Sequence, residues 1–119
     1  MESGRDSYYN TPGCVWVASP DPLQSKASRP VAIGRRINSR YAVVIPGTSV
    51  CHKGQCPVKV RAKECEFLHV DTYFLPRLYK YVSLDNLSRY LGELPGADRK
   101  RLDEKISIIL LKKRGIPID

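Results

Sequence analysis

Two polar residues, Arg29 and Thr48, stand at the ends of two short apolar segments of the chain. Arg29 comes directly before residues 30–33, and Thr48 follows residues 41–45 and a Pro-Gly pair. A guanidinium offers forked donors and a permanent positive charge to a phosphate. A threonine hydroxyl can position that phosphate or a neighbouring hydroxyl group. If the two segments are neighbouring strands, a ligand could reach both residues at the adjacent strand ends.

The histidines and cysteines are the other residues whose types could support catalysis or bind a metal. His52 and His69 could each supply a general base. A structural zinc site usually needs two close-spaced ligand pairs, and this sequence has one such pair, Cys51 and Cys56. We therefore expect no metal site, and either free thiols or a disulfide between those two cysteines. The remaining cysteines are Cys14 and Cys65.

The composition bounds the class of protein. A chain of 119 residues with 42% hydrophobic and 27% charged residues fits one soluble globular domain. We expect a flexible tail over residues 1–11, the domain over residues 12–115 and a short tail over residues 116–119. The longest apolar cluster, residues 106–111, is far shorter than the roughly 20 residues of a membrane span, and no secretory signal is visible. These features predict a cytoplasmic protein.

The charge points to a polyanionic partner. The formal net charge is +8, which favours binding to nucleic acid or to an acidic protein. The sequence shows no basic amphipathic helix with bulky aromatic residues, the feature that would indicate binding to a membrane surface. A basic, solvated surface that binds nothing is the alternative explanation.

The pattern of apolar residues predicts a mainly β chain with helices at its C-terminal end. Strands are predicted over residues 13–18, 30–33, 41–45, 57–62, 67–75 and 78–82, with a loop over 19–28 and a basic turn over 34–40. Ser83 is expected to cap a short helix carrying Leu84, Leu87 and Leu91 on one side, and Asp98 to cap a longer helix. Successive short strands of this kind are typical of a small barrel or a curled sheet.

Four short motifs, in this order and spacing, resemble the MazF/PemK (Kid) toxin family. They are Gly13-Cys14-Val15-Trp16-Val17, Arg29-Pro30-Val31, Val43-Val44-Ile45-Pro46-Gly47-Thr48-Ser49 and Leu91-Gly92-Glu93-Leu94. The resemblance covers about Pro12 to Leu111. It implies an SH3-like small β-barrel of five to seven strands with a long C-terminal helix, the fold of MazF, PemK and CcdB toxins.

The resemblance also implies a function. MazF-like toxins of type II toxin–antitoxin systems are usually homodimers that cleave single-stranded RNA at short sequences without a metal or other cofactor. An acidic antitoxin neutralises them. Two other functions stay open, a CcdB-type toxin that targets gyrase and a catalytically degenerate RNA-binding member of the fold. The Arg29 and Thr48 pair favours the endoribonuclease, because a protein-binding toxin does not need a phosphate-binding pair.

Carried over residue by residue, the resemblance makes Arg29 and Thr48 the catalytic residues. Leu78 and Tyr79 stand where many members of the family have an acidic residue or glutamine, so the general base is not recognisable. The predicted RNA-binding residues are Lys26, Arg35, Arg36, Ser49, Lys53, Arg77 and Tyr79. Trp16 could also stack on a base, although aromatic residues on barrel strands more often belong to the core.

Overall fold

Seven β-strands followed by one α-helix make up the part of the chain that the structure, a computed structural model, describes: residues 9–50, 54 and 57–113. The strands are β1 (Cys14–Ala18), β2 (Arg29–Arg36), β3 (Tyr41–Thr48), β4 (Val58–Val60), β5 (Thr72–Phe74), β6 (Lys80–Ser83) and β7 (Leu87–Glu93). The helix, α1, is Gly96–Lys113. Single 3₁₀ turns lie at Ala62–Glu64, Pro76–Leu78 and Leu84–Asn86.

Strand β3 is the centre of the sheet. It pairs antiparallel with β2 along its length, with β6 at its start and with β5 at its end. The full order is β4-β5-β3-β2-β1-β7, with β6 paired to β3 outside this path. Residues 42–47 are all buried, as expected for an apolar strand covered on both faces. This confirms the prediction for residues 41–45 and extends the strand to Thr48.

The core lies on both faces of this sheet. On one face, Leu102, Ile106 and Leu110 of α1 pack against buried residues of β1 to β5, because these three positions fall on one side of a helix. On the other face, Trp16 and Leu87 belong to a second cluster of buried residues. The predicted mainly β fold with five to seven strands and a long C-terminal helix is confirmed.

The helix predicted after Ser83 is wrong. The Ser83 hydroxyl does accept a hydrogen bond from the backbone N–H of Asp85 at 3.2 Å, but the turn it caps is one 3₁₀ turn long. The chain then continues as β7, which pairs with β1. Leu84 and Leu87 are fully buried, so the leucine spacing reflects the core, and backbone pairing with β1 overrides the helical period.

Several predicted boundaries also shift. Strand β2 extends into the predicted turn as far as Arg36, and its pairing with β3 is irregular between Ile33 and Arg35. Only Thr72–Phe74 of the predicted strand 67–75 pairs as a strand, and only Val58–Val60 of 57–62. Helix α1 begins at Gly96, so Asp98 lies in its first turn, where it accepts a hydrogen bond from Arg101.

Candidate functional site

The ends of β2 and β3 meet, which brings Arg29 and Thr48 together. Val31 lies opposite Pro46 in the antiparallel pairing, so the residues two positions further out on each strand, Arg29 and Thr48, are neighbours. Arg29 Nη1 donates a hydrogen bond to the backbone carbonyl of Gly47 at 3.0 Å. The strand ends are therefore adjacent as the sequence predicted, while the catalytic roles of the two residues are taken up below as a proposal.

Arg29 is held by a carboxylate that the sequence did not point to. Its Nε donates to Asp21 Oδ1 at 2.9 Å, and its Nη2 donates to the hydroxyl of Ser25 at 2.8 Å. The side chains of Arg29 and Asp21 are 7% and 0% exposed. A buried ion pair of this kind is tolerated when further hydrogen bonds satisfy both ions.

Asp21 also orders the loop between β1 and β2. Its Oδ1 accepts a hydrogen bond from the backbone N–H of Leu23 at 2.9 Å. Its Oδ2 accepts from the backbone N–H groups of Ser25 at 3.2 Å and Lys26 at 3.0 Å, and from the Ser25 hydroxyl at 3.1 Å. One carboxylate thus fixes both the guanidinium of Arg29 and the backbone that carries Lys26.

These contacts change the acidity of Asp21. Burial opposes ionisation, but the Arg29 guanidinium and three backbone N–H groups outweigh it and lower the pKa of Asp21 to about 2 from 3.8. The carboxylate is therefore ionised at neutral pH and its oxygens are occupied by donors. Asp21 positions other groups and is unsuited to act as a general base.

A pocket of about 190 Å³ opens beside Arg29. Its polar walls come from Lys26, Ser28, Arg29, Thr48, Ser49 and Thr72. A guanidinium has five N–H hydrogens, and three of those of Arg29 are used by partners in the described part of the chain. Within the described residues, one hydrogen on each terminal nitrogen has no partner. The pocket therefore combines two cations with several hydroxyl groups, a donor set suited to a phosphate.

Thr48 keeps a hydroxyl hydrogen for the same pocket. Its Oγ1 accepts a hydrogen bond from the backbone N–H of Val50 at 3.2 Å, a local turn contact that fixes the oxygen and leaves the hydroxyl able to donate. Lys26 and Ser49 are exposed at the rim. Of the predicted site residues, this pocket unites Arg29, Thr48, Lys26 and Ser49.

The other predicted RNA-binding residues lie elsewhere or outside the description. Arg35 donates to the Ser107 hydroxyl of α1 at 2.8 Å, and Arg36 donates to the Asn38 carbonyl and the Asn10 side chain. Arg77 donates to the Gly54 carbonyl at 2.9 Å and lines a separate groove of about 490 Å³ with Lys105, Ile108 and Lys112 of α1. Lys53, His52, Cys51 and Cys56 lie outside the described residues.

The aromatic candidates are constrained by packing. Tyr79 is half-buried against the core and contacts Tyr81 edge-on, with ring centroids 5.7 Å apart. Trp16 is fully buried and donates from Nε1 to the Tyr9 carbonyl at 2.6 Å, so it cannot stack on a base. His69 is exposed and does not line the pocket, although its neighbour Val70 does.

The remaining thiols are structural. Cys14 and Cys65 are free and buried in the two core clusters. Burial raises the pKa of the Cys65 thiol, and the nearby charge of Asp98 adds to the effect. Within residues 9–50, 54 and 57–113, no three His, Cys, Asp or Glu side chains form a group that could hold a metal ion. In the same ranges, no helix has the length and apolarity that crossing a membrane requires.

Comparison with solved structures identifies the fold. Mycobacterium tuberculosis toxin MazF-mt6 superposes with a TM-score of 0.63 at 20% identity, over 82% of this chain and 95% of that chain. The MazE-MazF structure from Deinococcus radiodurans superposes with a TM-score of 0.61 at 16% identity, over 88% of this chain and 97% of that chain. An endoribonuclease in complex with its cognate antitoxin, from a mycobacterial species, gives 0.60 at 18% identity, over 95% and 100%. This chain has the MazF fold.

No protein-family model matches the sequence, and no curated protein matches it. At these identities the agreement lies in the three-dimensional structure, and the MazF fold is what the comparison establishes. In this chain, the motifs around Arg29 and Thr48 lie where β2 and β3 end side by side.

Sequence reasoning missed Asp21, the residue that organises the pocket. A signal was present, because Asp21 is the sole carboxylate between Asp6 and Glu64, a stretch rich in lysine and arginine. It also lies between two prolines, eight residues before Arg29. A lone acid in a basic segment of a folded chain has many potential partners, and here the buried partner is Arg29.

Proposed function

We propose that this chain is the toxin of a type II toxin–antitoxin system and acts as a metal-independent endoribonuclease on single-stranded RNA. The observation that carries the proposal is the pocket at the ends of β2 and β3, where Arg29, Lys26 and Thr48 face one cavity. The MazF fold and the net charge of +8 support it.

The pocket suits cleavage by internal attack. The 2′-oxygen of the ribose attacks the adjacent phosphorus, the bond from phosphorus to the 5′-oxygen breaks, and a 2′,3′-cyclic phosphate and a 5′-hydroxyl result. Negative charge builds on the non-bridging oxygens as the fifth bond forms. In the proposed mechanism, the N–H groups of Arg29 that have no described partner and the ammonium of Lys26 stabilise that charge, and Thr48 donates to the phosphate or orients the 2′-hydroxyl.

Electrostatic stabilisation is the main contribution of this pocket in the proposed mechanism. Its described wall residues include no histidine and no carboxylate. Asp21 contacts Arg29 without lining the pocket, and its donors keep it ionised. The proton of the 2′-hydroxyl passes to water, and the 5′-oxygen takes a proton from water. Loss of one well-placed donor to such a developing oxyanion costs about 100- to 1000-fold in rate.

The decisive experiment is cleavage of single-stranded RNA by the purified protein in excess EDTA. We expect fragments that end in a 2′,3′-cyclic phosphate and begin with a 5′-hydroxyl, identified by mass spectrometry. Arg29→Lys keeps the charge but removes the fork, so the rate should fall by about 100-fold or more. Arg89→Lys, on the exposed face of β7, is the matched control and should cleave like the wild type. RNA that stays intact would contradict the proposal.

Two partners belong to the proposal. An acidic antitoxin would complement the charge of +8, and two of the similar solved structures contain a toxin with its antitoxin. A second copy of the chain is the other partner, as in the homodimers of MazF-like toxins. Sedimentation of the purified protein tests the dimer. Co-expression with the acidic product of a neighbouring reading frame, followed by loss of RNA cleavage, tests the antitoxin.

A further inference from the structure

Three side chains form a row across the sheet, starting at the phosphate pocket. Thr48 on β3 lies opposite Tyr73 on β5, and Tyr73 lies opposite Lys59 on β4. Directly opposed residues of antiparallel strands point to the same face of the sheet. Thr72 and Phe74, on either side of Tyr73, are buried, so Thr48, Tyr73 and Lys59 share the outer face.

Tyr73 separates the pocket from a cation. The Nζ of Lys59 lies 5.7 Å from the centre of the Tyr73 ring, within the range of a cation–π contact. Since β4 and β3 lie on opposite sides of β5, Lys59 approaches the ring from the side away from Thr48. The phosphate pocket lies on the other side of β5, beside Thr48.

Positive charge continues beyond Tyr73. Lys59, Arg61 and Lys63 line a shallow depression of about 500 Å³, and Asp71 is the one acidic side chain among its described wall residues. Asp71 lies 3.7 Å from the Nζ of Lys59, and both groups are about half exposed. Such an exposed pair is weak and screened, so Lys59 can exchange it for another anion. The depression keeps an excess of positive charge.

We propose that this row, Thr48–Tyr73–Lys59, binds the RNA strand next to the phosphate that is cleaved. Tyr73 stacks on the neighbouring base, and Lys59 with Arg61 binds the next phosphate. Two strand spacings separate Thr48 from Lys59, about 10 Å, which leaves room for one nucleoside between two phosphates. The inference rests on the proposed function and adds a binding path outside the pocket.

The alternation of groups favours RNA over an acidic peptide. The row repeats the order of a nucleic acid chain, with phosphate donors, then an aromatic ring, then cations. Proteins that hold single-stranded nucleic acid combine a basic groove with aromatic rings on which bases stack. An acidic peptide would use the cations, but its own chemistry does not require a ring placed between them and the phosphate donors.

The test measures binding of an oligonucleotide that cannot be cleaved. A fluorescein-labelled 2′-O-methyl oligouridylate of about ten nucleotides fills the pocket and the path. An abasic 2′-O-methyl ribose 3′-phosphate with the same label fills the pocket only, because it carries one phosphate and no base. In fluorescence anisotropy, Tyr73→Ala should weaken binding of the longer probe by about 5- to 100-fold and leave binding of the abasic probe unchanged. Tyr73→Phe should bind like the wild type, because it keeps the ring.

Lys59→Gln tests the cation. Its binding should depend less on salt, with the slope of log affinity against log salt reduced by about 0.7. Lys100→Gln, on an exposed part of α1 that does not line either depression, should keep the wild-type slope. Circular dichroism and thermal unfolding confirm that the variants fold.

Three results would overturn the path. They are equal loss of both probes in Tyr73→Ala, the same salt slope in Lys59→Gln and Lys100→Gln, and an effect of these changes on antitoxin binding alone. Failure of the proposed function gives a different result. If the wild-type protein binds the longer probe through Tyr73 but leaves natural RNA intact, the binding path stands and the endoribonuclease activity is contradicted.

Discussion

Arg29 and Asp21 form an ion pair closed to solvent, with Nε 2.9 Å from Oδ1 and side chains 7% and 0% exposed. The pair joins two parts of the chain that the sheet itself does not connect, the loop after β1 and the start of β2. It also orients the guanidinium, because Nε donates to Asp21 while the terminal nitrogens donate to Gly47 and Ser25. A cation on a long flexible side chain becomes a fixed donor in this way, as the catalytic role proposed for Arg29 requires.

Asp21→Asn should destabilise the fold by about 3–5 kcal/mol, the cost of leaving a buried charge without its partner. Urea denaturation at neutral pH measures the free energy of unfolding. Asp103→Asn, on an exposed part of α1, is the matched control and should change stability by no more than about 0.5 kcal/mol.

The double variant Asp21→Asn with Arg29→Gln removes both charges. It should be more stable than Asp21→Asn alone, because the uncompensated guanidinium is gone. If Asp21→Asn loses less than about 1 kcal/mol, the pair behaves like a surface salt bridge and does not fix Arg29.

Because of the lowered pKa of Asp21, we expect the free energy of unfolding to decrease at acidic pH. Its pKa is lowered to about 2 from 3.8, so the native state prefers the ionised form and the contribution is complete above pH 3.8. It is lost as the pH falls through about 2 and corresponds to about 2 kcal/mol. The stability difference between wild type and Asp21→Asn, followed by urea denaturation at decreasing pH, should therefore shrink in this window. A difference that stays constant would contradict the assignment.

Thr48→Val should lower the cleavage rate by about 100-fold, because it removes a hydroxyl donor without changing the shape of the side chain. Thr48→Ser keeps the hydroxyl and should retain most of the rate. Binding of the uncleavable oligonucleotide should change little in both, since a donor to the developing charge acts mainly in the transition state. Single-turnover kinetics separate the two quantities. Equal rates for Thr48→Val and wild type would show that Thr48 is only a turn residue.

The strands and the Arg29 and Thr48 pair were predictable because they depend on local pattern. Apolar runs that end in Pro-Gly, and a basic residue before a proline, mark strand ends. Adjacent strands of a small barrel then bring their ends together. The error at β7 had a long-range cause, because Leu84 and Leu87 fit a helical period and only pairing with β1 makes residues 87–93 a strand.

The hydrogen bonds around Arg29 could not be predicted from the sequence, for a related reason. Asp21 bonds to Arg29 because the loop after β1 folds back over the start of β2, and many loop conformations were compatible with the same residues. Arg35 and Arg36 appeared equivalent to Lys26 as basic residues, yet their contacts with Ser107 and Asn10 depend on α1 and on the N-terminal segment. The sequence shows which residues are charged, but tertiary contacts decide where each charged side chain points.

Gly47 allows β3 to pack closely against β5 beside the pocket, and Gly47→Ala should disturb this packing. A Cβ at this position would lie 2.9 Å from Cγ2 of Thr72 and 3.0 Å from Cε1 of the fully buried Phe74. Overpacking of this kind costs about 1–3 kcal/mol. Because the Gly47 carbonyl accepts from Arg29, a shift of β3 should also lower the cleavage rate.

Two controls isolate the clash at Gly47. Gly96→Ala, where no atom lies within 4 Å of the added Cβ, should keep or raise the stability and keep the cleavage rate. Adding Thr72→Ser to Gly47→Ala removes Cγ2 while keeping the hydroxyl that donates to the Val70 carbonyl, so part of the lost stability should return. Thermal unfolding of the three variants measures these changes. A Gly47→Ala protein as stable as Gly96→Ala would show that β5 can move away from β3, and the pocket would then be less rigid than these contacts indicate.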